Sequence, residues 1–476
     1  MMNKPLALAA LLAASCGAQA ADDADLAAIR SQIDEMKKTY EQRITALEKK
    51  LAEAEARTAA PAAVPPATAA TGSTGAAPAP TPAGETATGP VRAVAAAANA
   101  FNPEVSLILQ GQYVNTKDIP DRKISGFWPN QLDNLRGFSI NETELIIGGS
   151  IDPYWRGQAV FAVQDDEVGV EEAWFQSLAI GHGVGVKGGR YRSGIGYLNE
   201  QHPHAWDFAN APLMYVAMFG PAAAFTEDGV QVKWLAPTPL FLEFGAEVGR
   251  GANFPGTDRN KNDVGAWALY AHVGNDLGAS NSWRAGMSYL RTSSDNREAD
   301  FYDVGGTLAQ AAFTGDTDTW LADFVWKWAP DGNPKYRNFK FQSEYFWRQD
   351  KGDLTCTGLG SACDPLAVGD AVTGNYNTRQ SGWYAQGVFQ FTPEWRAGLR
   401  YDQLDSGRQN LGANAANLVV EDYRPKRATA MVDYSWSEFS RLRLQFAQDR
   451  SMAGITDNQW IVQYIMSLGA HGAHKF

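Results

Sequence analysis

The stretch YLNEQHPHAWDF, at residues 197–208, contains two histidines separated by one proline, in a chain with only 6 histidines. In an extended backbone Glu200, His202 and His204 fall on one side, because side chains alternate along a strand. Two imidazoles and a carboxylate suit Zn²⁺ or a similar ion. Pro203 favours a polyproline-like backbone, which would change that register. Three interpretations stay open: a polar lining that binds no specific metal, a transient metal contact, or packing of a loop.

Sequence signatures of catalytic sites do not accompany these residues. The chain has no H-E-x-x-H and no G-x-S-x-G. A G-x-G-x-x-G match at residues 183–188 lies between two expected strands, whereas a dinucleotide site needs a helix after it. An enzyme hypothesis rests only on Asp207 next to His204, so we predict no catalytic residue and no cofactor beyond transient Zn²⁺. His471 and His474 face opposite sides of a strand, which argues against a shared metal there.

The overall composition narrows the class of protein. Asp and Glu total 53 against 41 Lys and Arg, a formal net charge of -12, and this acidity argues against nucleic-acid binding. Aromatic residues make up 11% of the chain and glycines number 46, which is typical of many short strands joined by turns. Cys356 and Cys363 lie in a Gly- and Ser-rich segment and are predicted to form a disulfide in an oxidising compartment.

Residues 1–20 have the pattern of a secretory signal peptide. A positively charged start precedes an apolar stretch at residues 6–15 and the tripeptide AQA at 18–20, which matches an A-x-A cleavage site. The alternative is a lipoprotein acylated at Cys16. In both cases we expect the mature chain to lie outside the cytoplasm.

Residues 21–56 are predicted to form a helix, followed by a linker at residues 57–100. Apolar residues recur every three or four positions, at Leu26, Ile29, Ile33, Met36, Tyr40, Ile44, Leu47 and Leu51. This spacing favours a periplasmic coiled coil, consistent with a trimer; a single helix packed on the main domain is the alternative. The linker is rich in Ala, Pro and Thr and is not expected to form a core.

From residue 101 to residue 476 the pattern changes to short alternating strands. In EVSLILQGQY, Val105, Leu107 and Leu109 fall on one face and Ser106 and Gln110 on the other. Short turns such as IDPYW, FTPEW and SWSEFS carry aromatic residues, as the interfacial girdles of membrane barrels do. The pattern predicts an all-β transmembrane barrel of about 16 antiparallel strands around an aqueous channel. The strands are expected to start near Glu104, Phe138, Arg156, Val170, Val184, Thr226, Leu240, Val264, Ser282, Thr317, Arg337, Thr378, Trp395, Arg424, Arg441 and Asn458.

The polar segment at residues 193–224 is predicted to be the third external loop, folded inward to narrow the lumen. Trp206 and Phe208 would pack it against the barrel wall. The predicted constriction residues are Glu200, His202, His204, Trp206 and Asp207 in the loop, and Arg190 and Arg192 in the strand before it. A nearby acidic cluster either is a solvated rim or attracts cations to the mouth. Its members are Asp165, Asp166, Glu167, Glu171 and Glu172.

The order of segments resembles that of a known group of proteins. A signal peptide, a predicted coiled coil, an Ala/Pro-rich linker and a barrel ending on Phe476 are together similar to outer-membrane porins with a periplasmic coiled coil. The DcaP-like, siderophore-porin and phosphate-selective-porin types share such features. The resemblance implies a homotrimer in the lipid of the bacterial outer membrane, with its N-terminal region in the periplasm, that lets small solutes or ions cross passively.

Three stretches resemble a narrower family of outer-membrane proteins, often labelled TonB-dependent or zinc-regulated receptors. They are DDEVGVEEAWFQ, GRYRSGIGYLNEQHPHAWDF and QYIMSLGAHGAHKF. That resemblance implies uptake of metal or metal chelates. TonB-dependent receptors carry a plug inside a barrel of about 22 strands, whereas a helix and a low-complexity linker precede this barrel. The sequence therefore predicts a passive, partly selective porin, with a metal receptor as the alternative.

Overall fold

The computed structural model describes residues 103–120, 122–128, 132, 135–140, 142–164, 167–357, 361–364 and 371–469. The strands are β1 (Glu104–Asn115), β2 (Gly137–Ile140), β3 (Thr143–Ser150), β4 (Trp155–Gln164), β5 (Glu167–Ser177), β6 (Val184–Arg192), β7 (Thr226–Leu235), β8 (Phe241–Gly249), β9 (Ala266–Leu277), β10 (Asn281–Tyr302), β11 (Leu308–Trp328), β12 (Asn338–Cys356), β13 (Val372–Gln390), β14 (Trp395–Asn410), β15 (Lys426–Ser437), β16 (Ser440–Arg450) and β17 (Asp457–Gly469). One α-helix, α1 (Leu213–Phe219), and 3₁₀ turns at Pro203–Ala205, Pro330–Gly332 and Gly412–Ala416 complete the described elements.

The strands form one closed antiparallel sheet. Apart from β2 and β3, each strand pairs with its neighbour in sequence, and β1 pairs with β17 from Ser106–Gly469 to Asn115–Trp460, which closes the barrel. Both β2 and β3 pair with β1, so these two segments are halves of one interrupted crossing. The seventeen described segments therefore make sixteen crossings. The predicted 16-stranded barrel is confirmed.

Alternate residues of each strand face opposite environments. On β14, Leu399 is 69% exposed, whereas Arg400 and Asp402 are buried. On β17, Trp460 and Val462 point outward and Gln463 is buried. This apolar-out, polar-in alternation is the arrangement of a transmembrane barrel, whose closed ladder satisfies every strand N–H and C=O in lipid. Within the described ranges, no helix has the length and apolarity needed to cross a membrane.

The aromatic short turns lie at one end of the barrel, as their sequences predict. Residues 151–154 join β3 to β4, residues 391–394 join β13 to β14, and residues 438–439 join β15 to β16. Exposed aromatic side chains flank them, including Tyr154, Trp395 and Trp436. Both described chain ends, at β1 and β17, lie at this same end, because sixteen antiparallel crossings return the chain to its starting side.

Several strands extend further than predicted. The strand expected to start near Thr317 starts at Leu308, and β10 and β11 stay paired as far as Tyr302 and Leu308. The polar segments at residues 293–316, 351–377 and 405–423, each of which precedes a predicted strand start, are therefore partly strand. The prediction was wrong there because a hydrogen-bonded ladder continues beyond the membrane, where the lipid-facing apolar alternation that marks a strand in the sequence is no longer required.

Cys356 at the end of β12 is joined to Cys363 by a disulfide, with Cα atoms 5.6 Å apart. Other sequence expectations lie outside the described residues. These are the signal peptide, the coiled coil, the linker, Asp165, Asp166, His471, His474 and Phe476. They remain predictions.

Candidate functional site: a loop fixed across the lumen

Residues 193–225, between β6 and β7, form a loop that crosses the inside of the barrel; we call it the inner loop. The N–H of Gly194 donates to Glu247 on β8 at 2.8 Å. The N–H of Leu213 donates to Asp402 on β14 at 2.9 Å. Because β8 and β14 are separated by five strands along the sheet in one direction and nine in the other, one segment reaches both only by crossing the lumen.

One side of the lumen is filled by apolar packing of the inner loop. All seven residues of α1 are buried. They join a cluster with inward-facing residues of six wall strands, and the wall members include Tyr270 on β9, Leu321 on β11 and Phe346 on β12. Burying a large apolar side chain contributes about 1.5–3 kcal/mol, so the helix holds its half of the loop against β9–β14. The helix has the apolar sequence LMYVAMF. This run indicates a packed helix inside a segment that the sequence analysis described as polar.

A single wall carboxylate anchors the centre of the inner loop. Glu344 on β12 accepts hydrogen bonds from the N–H of Tyr197 at 3.0 Å and of Leu198 at 3.2 Å. It also accepts from the hydroxyls of Tyr215 at 2.8 Å and Tyr384 at 2.6 Å. The carboxylate thus has four donors around its two oxygens, which matches its acceptor-only chemistry when ionised.

Arginines of the wall donate to backbone carbonyls of the inner loop. Arg400 on β14 donates to the carbonyl of Asn210 at 2.7 Å, and Arg443 on β16 donates to the carbonyl of Trp206 at 2.9 Å. Arg441, Arg348 and Arg427 make equivalent bonds to His204, Ala217 and Ala211. Irregular backbone inside a protein needs such partners. Much of the positive charge of the lumen is therefore directed at the loop.

Asp207 ties the inner loop to β12, β13 and β14. Its carboxylate contacts Lys340 at 2.5 Å and Arg396 at 3.3 Å, and it accepts from Gln386 at 3.1 Å. Burial would raise the pKa of Asp207, but the charges of Lys340 and Arg396 outweigh it and hold that pKa well below its usual range. The partner of the enzyme hypothesis, His204, contacts Glu144 instead.

The two histidines of the inner loop meet a carboxylate cluster on β3 and β5. Their rings are stacked with centroids 5.8 Å apart. The Nδ1 of His204 lies 2.9 Å from Glu144, and the Nδ1 of His202 lies 3.0 Å from Glu171. Burial and the charge of Arg192 would lower the pKa of His202, but the adjacent carboxylates outweigh both and raise that pKa well above its usual value.

Glu200, the third member of the predicted metal set, is bound elsewhere. Its carboxylate contacts Lys233 on β7 at 2.7 Å. The backbone forms a 3₁₀ turn at Pro203–Ala205 instead of the extended conformation that would place Glu200 on the same side as both histidines. Glu144, which the sequence did not single out, is the carboxylate that both imidazoles approach. In the sequence, the one feature that could have identified Glu144 is its charge at a position of a predicted strand that faces the lumen.

Beside the inner loop lies a cavity of about 540 Å³. Three predicted constriction residues, Arg190, Arg192 and Trp206, line it. Its lining carries charges of both signs, which include Arg122, Arg192 and Arg427 and, among the acids, Glu142, Glu171 and Asp449. Arg190 is paired with Asp228 at 2.6 Å. The cavity is bounded by β1, β5–β7 and β15–β17 on the wall side and by the inner loop, including Val216 of α1, on the other.

No protein-family model matches this chain. An uncharacterized protein of Aquifex aeolicus (strain VF5) is 31% identical over 412 residues, which span 79% of this chain and 80% of that protein. The chain belongs to the same family as this protein. The shared segment is long enough to include most of the barrel.

Several solved barrels are similar in architecture. OmpT, an outer membrane protein of Vibrio cholerae, matches with a TM-score of 0.46 at 10% identity, over 77% of this chain and 97% of that chain. The outer membrane channel DcaP of Acinetobacter baumannii matches with a TM-score of 0.43 at 11% identity, over 77% and 96%. OprB of Pseudomonas putida matches with 0.46 at 12%, over 77% and 94%. Likeness at this level carries no information on substrate or activity.

Proposed function

We propose that this protein is an outer-membrane porin, a passive and partly selective channel for small hydrophilic solutes or ions. The observation that carries the proposal is a closed barrel, apolar outside and polar inside, whose lumen is narrowed by a loop fixed to its wall. A 16-stranded barrel is wide enough for an aqueous channel. The fixed loop reduces that opening to the cavity on one side.

In this mechanism no bond is made or broken. Solutes enter from the long-loop end and pass the cavity between the inner loop and β5, β6 and β15. The arginines of this cavity are paired with carboxylates, as Arg192 is with Glu171 and Arg190 with Asp228, and such a charged, polar lining favours solutes that carry charge or a strong dipole and are of suitable size. Arg190, Arg192 and Trp206 are the lining residues of this proposal. Glu200, His204 and Asp207 hold the loop in place.

Planar-bilayer recording of the purified full-length protein tests the proposal. We expect steady conductance steps that need no energy source. Arg190→Gln should shift the reversal potential towards cation preference, because it removes a positive charge from the cavity lining. Arg424→Gln is the matched control, since the Arg424 side chain is 71% exposed outside the cavity. A correctly folded protein that never conducts would overturn the proposal.

We extend the proposal to a homotrimer held together in part by a periplasmic coiled coil. The heptad spacing of residues 21–56 supports this extension. Light scattering on the full-length protein should give three copies per particle, and bilayer recordings should show closures in thirds. Leu47→Pro, which breaks the predicted helix, should weaken the trimer; a stable monomer in the unmodified protein would contradict it.

An energy-coupled metal receptor is the alternative function. Sixteen crossings make a narrower barrel than the roughly 22-stranded barrels of plugged transporters. We therefore favour passive passage. Transport into proteoliposomes distinguishes the two, because a porin equilibrates solute without any coupling protein.

A further inference from the structure

Four side chains from three segments of the chain converge between the inner loop and the barrel wall. Glu142 lies in the break between β2 and β3, Glu144 on β3, Glu171 on β5 and His202 in the inner loop. One donor atom from each lies within 4.8 Å of the others. The Nδ1 of His202 is 3.0 Å from Glu171 and 3.4 Å from Glu144.

The donor atoms of this group are unsatisfied. Among the described residues, Glu142 Oε1, Glu144 Oε2 and His202 Nδ1 are buried, and none of their close contacts has the geometry of a hydrogen bond. The side chain of Glu144 has 0% exposure. A buried polar atom without a partner costs about 1–3 kcal/mol, and more when charged. Three such atoms facing one point are hard to explain by packing alone, and a cation between them would satisfy all three.

The charge balance around the group also favours a cation. Glu172 approaches His202 Nε2 at 3.4 Å, so four carboxylates surround this point. One guanidinium, that of Arg192, faces them, 3.1 Å from Glu171 and 3.6 Å from Glu142. A metal ion binds only an unprotonated imidazole, so with His202 in that form four ionised carboxylates against one guanidinium leave three negative charges. A divalent ion reduces this surplus to one.

We infer that Glu142, Glu144, Glu171 and His202 form a binding site for a divalent transition-metal ion. One imidazole nitrogen among carboxylate oxygens suits Zn²⁺ or Mn²⁺. Mg²⁺ and Ca²⁺ prefer oxygen ligands alone. Glu172 on the far nitrogen of His202, and His204 on the far oxygen of Glu144 at 2.9 Å, orient both ligands as the outer partners of metal ligands do.

The position of the site suggests what it does. Glu142 and Glu171 line the cavity, so an ion reaches the site from the solute path. His202 belongs to the inner loop, whereas the carboxylates belong to the wall. A bound ion therefore ties the loop to β3 and β5. This role is separate from conduction, and binding is measured without any electrical readout.

Equilibrium dialysis of the purified full-length protein against Zn²⁺, with metal counted per chain, tests the site. We expect one ion retained in the presence of excess Mg²⁺. Glu144→Gln and His202→Asn should each weaken affinity at least about tenfold. His182→Asn is the matched control, because His182 lies in an exposed short turn with a left-handed backbone that Asn tolerates. Affinity unchanged in both ligand variants would overturn the site.

Zn K-edge X-ray absorption of the unmodified protein decides the matter if a variant does not fold. The site predicts a single imidazole among oxygen ligands. A spectrum with two or more imidazoles would place the ion at other histidines and refute the assignment. Absence of retained metal would refute it directly, whatever the conductance of the protein.

Discussion

Removal of the Glu344 carboxylate is expected to release the inner loop without unfolding the barrel. The three donors that Glu344 accepts from this loop are the N–H groups of Tyr197 and Leu198 and the hydroxyl of Tyr215. Hydrogen bonds to a charged group contribute about 1.5–3 kcal/mol each. At the lower value the three sum to about 4.5 kcal/mol, which corresponds to about a thousandfold more loop opening.

Glu344→Ala should therefore raise the frequency of large-conductance openings in single-channel records. Chymotrypsin provides an independent measure, since Tyr197, Leu198 and Tyr215 are buried while the loop is held and cleavage follows the open population. Glu344→Gln keeps one oxygen that accepts hydrogen bonds, but its NH₂ group replaces the oxygen that accepts from the other two donors. We therefore expect loop opening and cleavage between those of the unmodified protein and Glu344→Ala. Heat-modifiable migration in gels checks that the barrel remains folded.

Glu298→Ala is the control, because Glu298 is an exposed carboxylate on β10 whose hydrogen bonds, to Asn296 and Gln310, are exposed. It should leave cleavage and conductance unchanged. The reasoning fails if folded Glu344→Ala protein is cleaved within about twofold of the unmodified rate, given that the bonds removed predict about a thousandfold. Such a result would mean that the arginine and α1 contacts alone hold the loop.

Three further predictions concern other parts of the barrel. Because the pKa of Asp207 is depressed, the stability that its carboxylate contributes is fully present above the ordinary Asp pKa of about 3.8 and is lost only as the pH falls through the depressed pKa. In urea unfolding, the difference in free energy of unfolding between the unmodified protein and Asp207→Asn should therefore stay constant from pH 7 down to about 4. A difference that disappears by pH 6 would contradict this. Leu399→Arg, on the lipid face of β14, should destabilise the folded barrel in vesicles by about 2–4 kcal/mol, whereas Glu394→Arg in a short turn should have little effect. Double substitution of Cys356 and Cys363 by Ser should remove a local cross-link that contributes about 2.5 kcal/mol or less to stability. We expect faster proteolysis near that loop and an unchanged conductance. A changed conductance would show instead that the disulfide shapes the channel.

Much of the barrel was predictable because its signals are local. Side chains alternate with a period of two in any strand, so Leu399 and Arg400 reveal opposite faces without knowledge of partners. Aromatic short turns mark the membrane boundary at one end. The extension of β10 and β11 beyond the membrane was not predictable in this way, because pairing outside lipid imposes no apolar alternation.

The site shows the same division more sharply. The sequence alone determined that Glu200, His202, His204 and Asp207 lie in one long loop, and that this loop follows Arg190 and Arg192. Only the tertiary structure decided their partners: Glu200 with Lys233, Asp207 with Lys340, and His202 with Glu144 and Glu171. Partners of a loop inside a closed barrel come from strands distant in sequence, and their approach is set by sheet closure and by the packing of α1. The spacing of residues along the sequence therefore does not predict these contacts.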